Sequence, residues 1–113
     1  MSIEQIVTHP ASQPAYQAFD RRELNLILSL YSRFVAAGLG KDYAIDHLRE
    51  CAVFSIFRRS AETPMYRIEK RPKDARRQGA FSVVGMDGQI LKRGHDLAQV
   101  LRILDRKLIK AVE

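Results

Sequence analysis

From Phe19 onward the apolar positions recur with a helical period. Leu24, Ile27, Leu28, Tyr31, Phe34 and Val35 fall three or four residues apart, which lines one face of an α-helix. Ahead of them, Asp20 and Glu23 form a capping-box pair, each side chain satisfying a free backbone N–H, with Phe19 and Leu24 as the apolar staple across the helix start. Gly38 or Gly40 supplies the left-handed residue at which such a helix ends. Leu26 and Leu30 lie off the main stripe and widen the apolar surface.

From Tyr43 the pattern changes to short runs rich in branched and aromatic residues, separated by turn signals. Tyr43 to Leu48, Ala52 to Arg58, Met65 to Arg71, Ala80 to Val84 and Gln89 to Lys92 read as strands, the first in competition with a helical turn capped by Asp42. Asp87-Gly88 marks a hairpin with a type I′ turn, which requires positive φ at both central residues. Ser60 to Pro64 and Lys73 to Gly79 make two further connections. Asp96 with Gln99 repeats the capping-box spacing, and Leu97, Val100, Leu101, Leu104 and Leu108 line a second helix. Strands joined by such short turns are antiparallel neighbours, because a parallel pair needs a long crossover. The apolar helix faces need the sheet to cover them. The expected fold is therefore α+β in two layers: an N-terminal helix, a four- to five-stranded antiparallel meander and a C-terminal helix. Residues 1–18, with Pro10 and Pro14 and little periodicity, read as a mobile arm ahead of one domain spanning 19–113.

The chain has 113 residues, enough for one domain that buries about two-thirds of its unfolded surface without a disulfide or metal staple. With 46% hydrophobic and 28% charged residues it is a globular composition, unlike a disordered, collagenous or membrane chain. Its single cysteine, Cys51, allows no intramolecular disulfide and fits a reducing compartment. The N-terminus resembles no secretory signal, and Leu24 to Gly40 is too short and too interrupted by polar residues for a spanning helix of ~20 residues. These features point to the cytoplasm and to no membrane partner.

Charge changes the picture more. The formal net charge is +6. Between Arg58 and Arg77 stand eight basic residues against three acidic ones, Glu62, Glu69 and Asp74, so nearly the whole excess is local. If Tyr66 and Ile68 face the core, Arg67, Glu69 and Arg71 face the other way. Basic side chains on a sheet can neutralise phosphates, with polar groups reaching base edges. Arg76, Arg77 and Gln78 in the following loop extend that surface, and Lys92 and Arg93 could assist a phosphate at the second helix start, where Asp96 counts against it. No aromatic series interleaves with these cations, which favours backbone contacts over base stacking. A solvated basic face without a ligand weighs equally against this reading.

Candidate chemistry is sparse. His9, His47 and His95 are scattered, and Asp46, His47, Glu50 and Cys51 do not form a structural zinc set. Cys51 reads as a small buried hydrophobe. Gly85, Gly88 and Gly94 are spaced for turns rather than a dinucleotide fingerprint, and no nucleophile elbow is present. Neither enzyme activity nor a cofactor is expected.

The segments DRRELNLIL (20–28), DYAID (42–46), VFSIFRR (53–59), PMYRIEKRPK (64–73), ARRQGAFSVV (75–84) and GQILKRGHDLAQVLR (88–102) together resemble a family of small alphaproteobacterial proteins grouped as a domain of unknown function. The resemblance covers Phe19 to Lys107 and implies no catalytic or binding residue. The element order is also similar to that of double-stranded RNA-binding domains and sheet-type DNA readers, although extra strands precede Met65 and the last helix lacks the alanine-rich, lysine-led start of the RNA-binding module. Fold likeness of that kind does not assign function.

The leading reading is a non-enzymatic protein that binds a polyanion, nucleic acid foremost, through Arg67, Arg71, Lys73, Arg76, Arg77, Lys92 and Arg93. Its alternative is a protein-interaction module or homodimer built on the wide apolar surface around Leu26 and Leu30.

Overall fold

A computed structural model describes residues 16–59 and 63–112. Helix α1 spans Arg21–Ala36, followed by strands β1 (Asp42–His47), β2 (Ala52–Phe57) and β3 (Tyr66–Lys70). After a 3-10 turn at Pro72–Asp74 come β4 (Phe81–Gly85), β5 (Ile90–Gly94) and helix α2 (Leu97–Val112). The strands form one antiparallel sheet in the order β1-β2-β3-β4-β5, and the α+β meander expected from the pattern is the observed fold. The stretch 1–15 of the expected arm and residues 60–62 of the expected turn lie outside the described residues. Gln17 is tied down: its N–H donates to Leu48 O at 2.8 Å across the β1–β2 turn.

The α1 start is built as its sequence implies. Asp20 Oδ1 accepts from Glu23 N–H at 2.8 Å, and Asp20 N–H donates to Glu23 Oε1 at 2.8 Å. At α2, Asp96 Oδ1 accepts from the N–H groups of Ala98 and Gln99 at 3.0 and 3.4 Å. Those donors are thereby engaged by the chain's own carboxylate, which weighs against a phosphate at this helix start as the presence of Asp96 in the sequence implies.

Both helices pack on one face of the sheet. Ile27, Leu30 and Phe34 of α1 and Leu97, Val100, Leu101 and Leu104 of α2 join Phe54, Ile56, Ile68, Phe81 and Val83 in one core. Tyr31 meets Phe54 edge-on with centroids 6.1 Å apart, and Phe34 meets Tyr66 likewise at 6.1 Å. Two expectations for α1 are corrected here. Leu30 is in the core at 1% exposure, whereas Val35 is exposed. The buried stripe runs through Ile27, Leu30 and Phe34, rotating Val35 outward. Leu26 is partly buried against the same core and also lines an open surface groove with Arg21, Arg22, Asn25 and Ser29.

The β4–β5 hairpin also departs from expectation. Among the described residues no non-glycine residue has positive φ, which rules out a type I′ turn at Asp87-Gly88. Gly88 N–H instead donates to Gly85 O at 2.9 Å, Gly88 has φ +88°, and Gly85 N–H donates to Gln89 O at 2.8 Å. This is a type I turn over Met86 and Asp87 followed by a left-handed glycine, the usual three-residue hairpin loop. A register shift at Val83/Val84 accompanies it.

Candidate polyanion-binding face

Strand alternation sends Arg67 and Glu69 to the sheet face opposite the helices, as expected, because Ile68 between them is fully buried in the core. In register with them stand Val53 and Ser55 on β2, Ser82 and Val84 on β4, and Arg93 and Ile90 on β5. Among the described residues no helix covers this face. It nevertheless contains well-buried groups: Glu69 is 8% exposed and Ser82 7%.

Glu69 organises the centre. Its Oε2 accepts from Arg67 Nε and its Oε1 from Arg71 Nε, both at 3.3 Å. One carboxylate therefore fastens two guanidinium groups by their inner nitrogens. The outer Nη edges, which form the fork that grips a phosphate or carboxylate, take no part in these bonds. Arg93 comes in from β5, its Nη1 donating to Gln78 Oε1 at 2.7 Å.

These side chains surround a pocket of about 230 Å³, lined by Arg67, Arg71 and Arg93 with Glu69, Ser82 and Asp74 among its walls. No aromatic residue lines it. The loop that closes one end is held by a close backbone approach. Gly79, at φ +97°, lies so near β5 that a Cβ there would stand 2.1 Å from the carbonyl carbon of Gly94. Asp74 O accepts from the N–H groups of Arg77, Gln78 and Gly79 at 3.0 to 3.1 Å, which winds the loop tightly beneath exposed Arg76 and Arg77.

Three of the seven predicted binding residues, Arg67, Arg71 and Arg93, thus share one pocket, with Arg76 and Arg77 on the adjoining loop. Two do not join them. Lys92 stands opposite Val83, on the side of the sheet that carries the helices. Lys73 reaches Glu50 at 3.1 Å, an exposed ion pair at the β1–β2 turn. Lys70, one of the local cations, is also turned to the helix side, where its Nζ donates to Glu23 Oε1 at 2.7 Å and to Ala18 O at 3.0 Å. The open face is less basic than the residue count implies, and the acidic Asp42 and Asp46 occupy its β1 edge.

The sequence pattern sets Glu69 on the outer face with Arg67 and Arg71 but does not mark it, Ser82, Asp74 or Gly79 as part of a site. The Arg67-x-Glu69-x-Arg71 spacing was the available signal, since alternate residues share a face, but burial of the middle carboxylate depends on β2 and β4 beside it. Cys51 is buried, and desolvation pushes its thiol above the usual value, with Arg71 partly offsetting this. That environment suits an inert thiol rather than a nucleophile. Among the described residues, no group of three or more His, Cys, Asp or Glu side chains is placed to hold a metal ion, and no helix is long and apolar enough to cross a membrane.

A family described as protein of unknown function (DUF2794) matches residues 17–101, a span that includes all five strands and every residue lining the pocket. Neither the curated proteins nor the solved structures contain a match.

Proposed function

The chain belongs to the family of unknown function DUF2794, and we propose that this member is a non-enzymatic binder of polyanions, nucleic acid foremost. The observation that carries the reading is the convergence of Arg67, Arg71 and Arg93 on one pocket of the helix-free face, with two of the three guanidiniums fastened through Nε. Arg76 and Arg77 beside it extend the positive surface. The aromatic-free lining favours contacts to phosphates over stacking on bases.

Fluorescence anisotropy against labelled duplex DNA, duplex RNA and single strands, across a salt series, tests it. Engagement of Arg67, Arg71, Arg76, Arg77 and Arg93 with phosphates of B-DNA gives a log–log salt slope of about −4.5. Reversal of Arg71, Arg76 and Arg77 to Glu abolishes binding. An affinity unchanged by that triple reversal, or no binding even at low salt, refutes the proposal.

A further inference from the structure

The polyanion reading treats the arginines as a surface, but their arrangement is more particular than that. We infer that the pocket between Arg67, Arg71 and Arg93 is a subsite for a phosphate monoester, the group that ends a nucleic-acid strand or is carried by a free nucleotide; the inference rests on the polyanion reading.

Three observations support it. The first is shape: the arginines face a recess of about 230 Å³ rather than a flat surface. A phosphodiester within a duplex is flanked by sugars on both sides and meets a protein along a groove, whereas a terminal phosphate projects and can enter a recess. The second is charge. Three guanidiniums against the Glu69 and Asp74 carboxylates leave one positive charge along the lining, and exposed Arg76 and Arg77 on the adjoining loop add two more, so the neighbourhood as a whole can balance a monoester that carries about −1.5 to −2 at neutral pH. Asp74 also lines the pocket, and its charge opposes the anion.

The third is orientation. Glu69 is nearly buried and holds Arg67 and Arg71 by Nε at 3.3 Å, so their Nη groups are pre-positioned for the two-pronged bonds that guanidinium makes to phosphate. Arg93 is steadied from the other side by Gln78. Glu69 is thus a positioning residue, lowering local positive charge while fixing the geometry of what remains.

The test compares one 3′-labelled single strand with a 5′-phosphate and with a 5′-hydroxyl, followed by competition with a nucleoside monophosphate and its nucleoside. The 5′-phosphate raises affinity about tenfold, the effect of one charge-assisted hydrogen bond. Arg93→Gln removes that preference. Asp74→Asn tightens binding of the phosphorylated strand without reducing the preference. Glu69→Gln separates charge from geometry: overall affinity rises because a negative charge is lost, yet the phosphate-to-hydroxyl ratio falls because the guanidiniums are no longer held. An unchanged ratio in Glu69→Gln overturns the positioning role. Equal affinity for the two strands, with binding still salt-dependent, overturns the subsite and leaves the polyanion reading standing; no binding of either strand also overturns the subsite, and the polyanion reading falls with it only if duplex DNA and duplex RNA fail to bind as well. Competition by the monophosphate at concentrations that release the strand identifies free nucleotides as a source of the group; its failure, with the 5′ preference intact, identifies strand ends.

Discussion

Replacing Gly79 with alanine tests how the basic loop is joined to the sheet. At φ +97° any L-residue is strained, and a Cβ would lie 2.1 Å from Gly94 C, 2.2 Å from Gly94 O and 2.7 Å from Gly94 Cα. All three are backbone atoms, so relief requires separating the loop from β5 where Phe81 and Gly94 pair. The left-handed backbone costs about 1–2 kcal/mol, and overpacking adds about 1–3 kcal/mol. For a chain of 113 residues the unfolding entropy near 60 °C is about 0.24 kcal/mol/K, so each kcal/mol lowers Tm by about 4 °C. Gly79→Ala should therefore lower Tm by about 8–20 °C. Gly38 and Gly88 are the controls: both have positive φ, at +78° and +88°, but nothing lies within 4 Å of their Cβ positions. Their alanine variants should lose only about 4–8 °C. Differential scanning calorimetry of the three variants reads the difference, and equal losses would refute the argument that backbone contact rather than φ makes Gly79 special.

Two further predictions concern charge and proton binding. Lys70→Met leaves the Glu23 carboxylate, only 11% exposed, without its cation, and should cost about 1–3 kcal/mol in a urea titration; Arg33→Ala, which breaks an exposed pair with Asp105, should cost at most about 1 kcal/mol. Desolvation raises the Tyr66 phenol above its ordinary 10.0 and the Cys51 thiol above its ordinary 9.0. The unfolded chain releases these protons at lower pH than the folded one, so stability is full below those values and falls as pH climbs through them. Denaturant midpoints measured from neutral to strongly alkaline pH should show that decline, and Tyr66→Phe should lessen it; a Phe variant with the same alkaline loss would exclude the phenol as a contributor.

What the sequence determined by itself is the set of elements and their order. The Asp20–Glu23 cap, the helical spacing of Ile27 and Phe34, the Asp87-Gly88 hairpin position and the short connections are written in neighbouring residues, because the forces that set them act within a turn or between adjacent strands. The antiparallel meander follows, as does the outward orientation of Arg67, Glu69 and Arg71 once Ile68 is placed inside. The details that needed distant partners were not legible. Lys70 is drawn away from the basic face by Glu23, 47 residues earlier in the chain, and Lys92 is set on the helix side by its register with Val83. The hairpin chose a type I turn with a left-handed glycine over the mirror-image turn that Asp87 would have had to enter at positive φ. Burial of Glu69 between β2 and β4, and the approach of Gly79 to Gly94, exist only once the sheet has formed. Local pattern counts cations along the chain; only tertiary packing, which assigns each one a face and an ion-pair partner, decides which of them remain to meet an anion together.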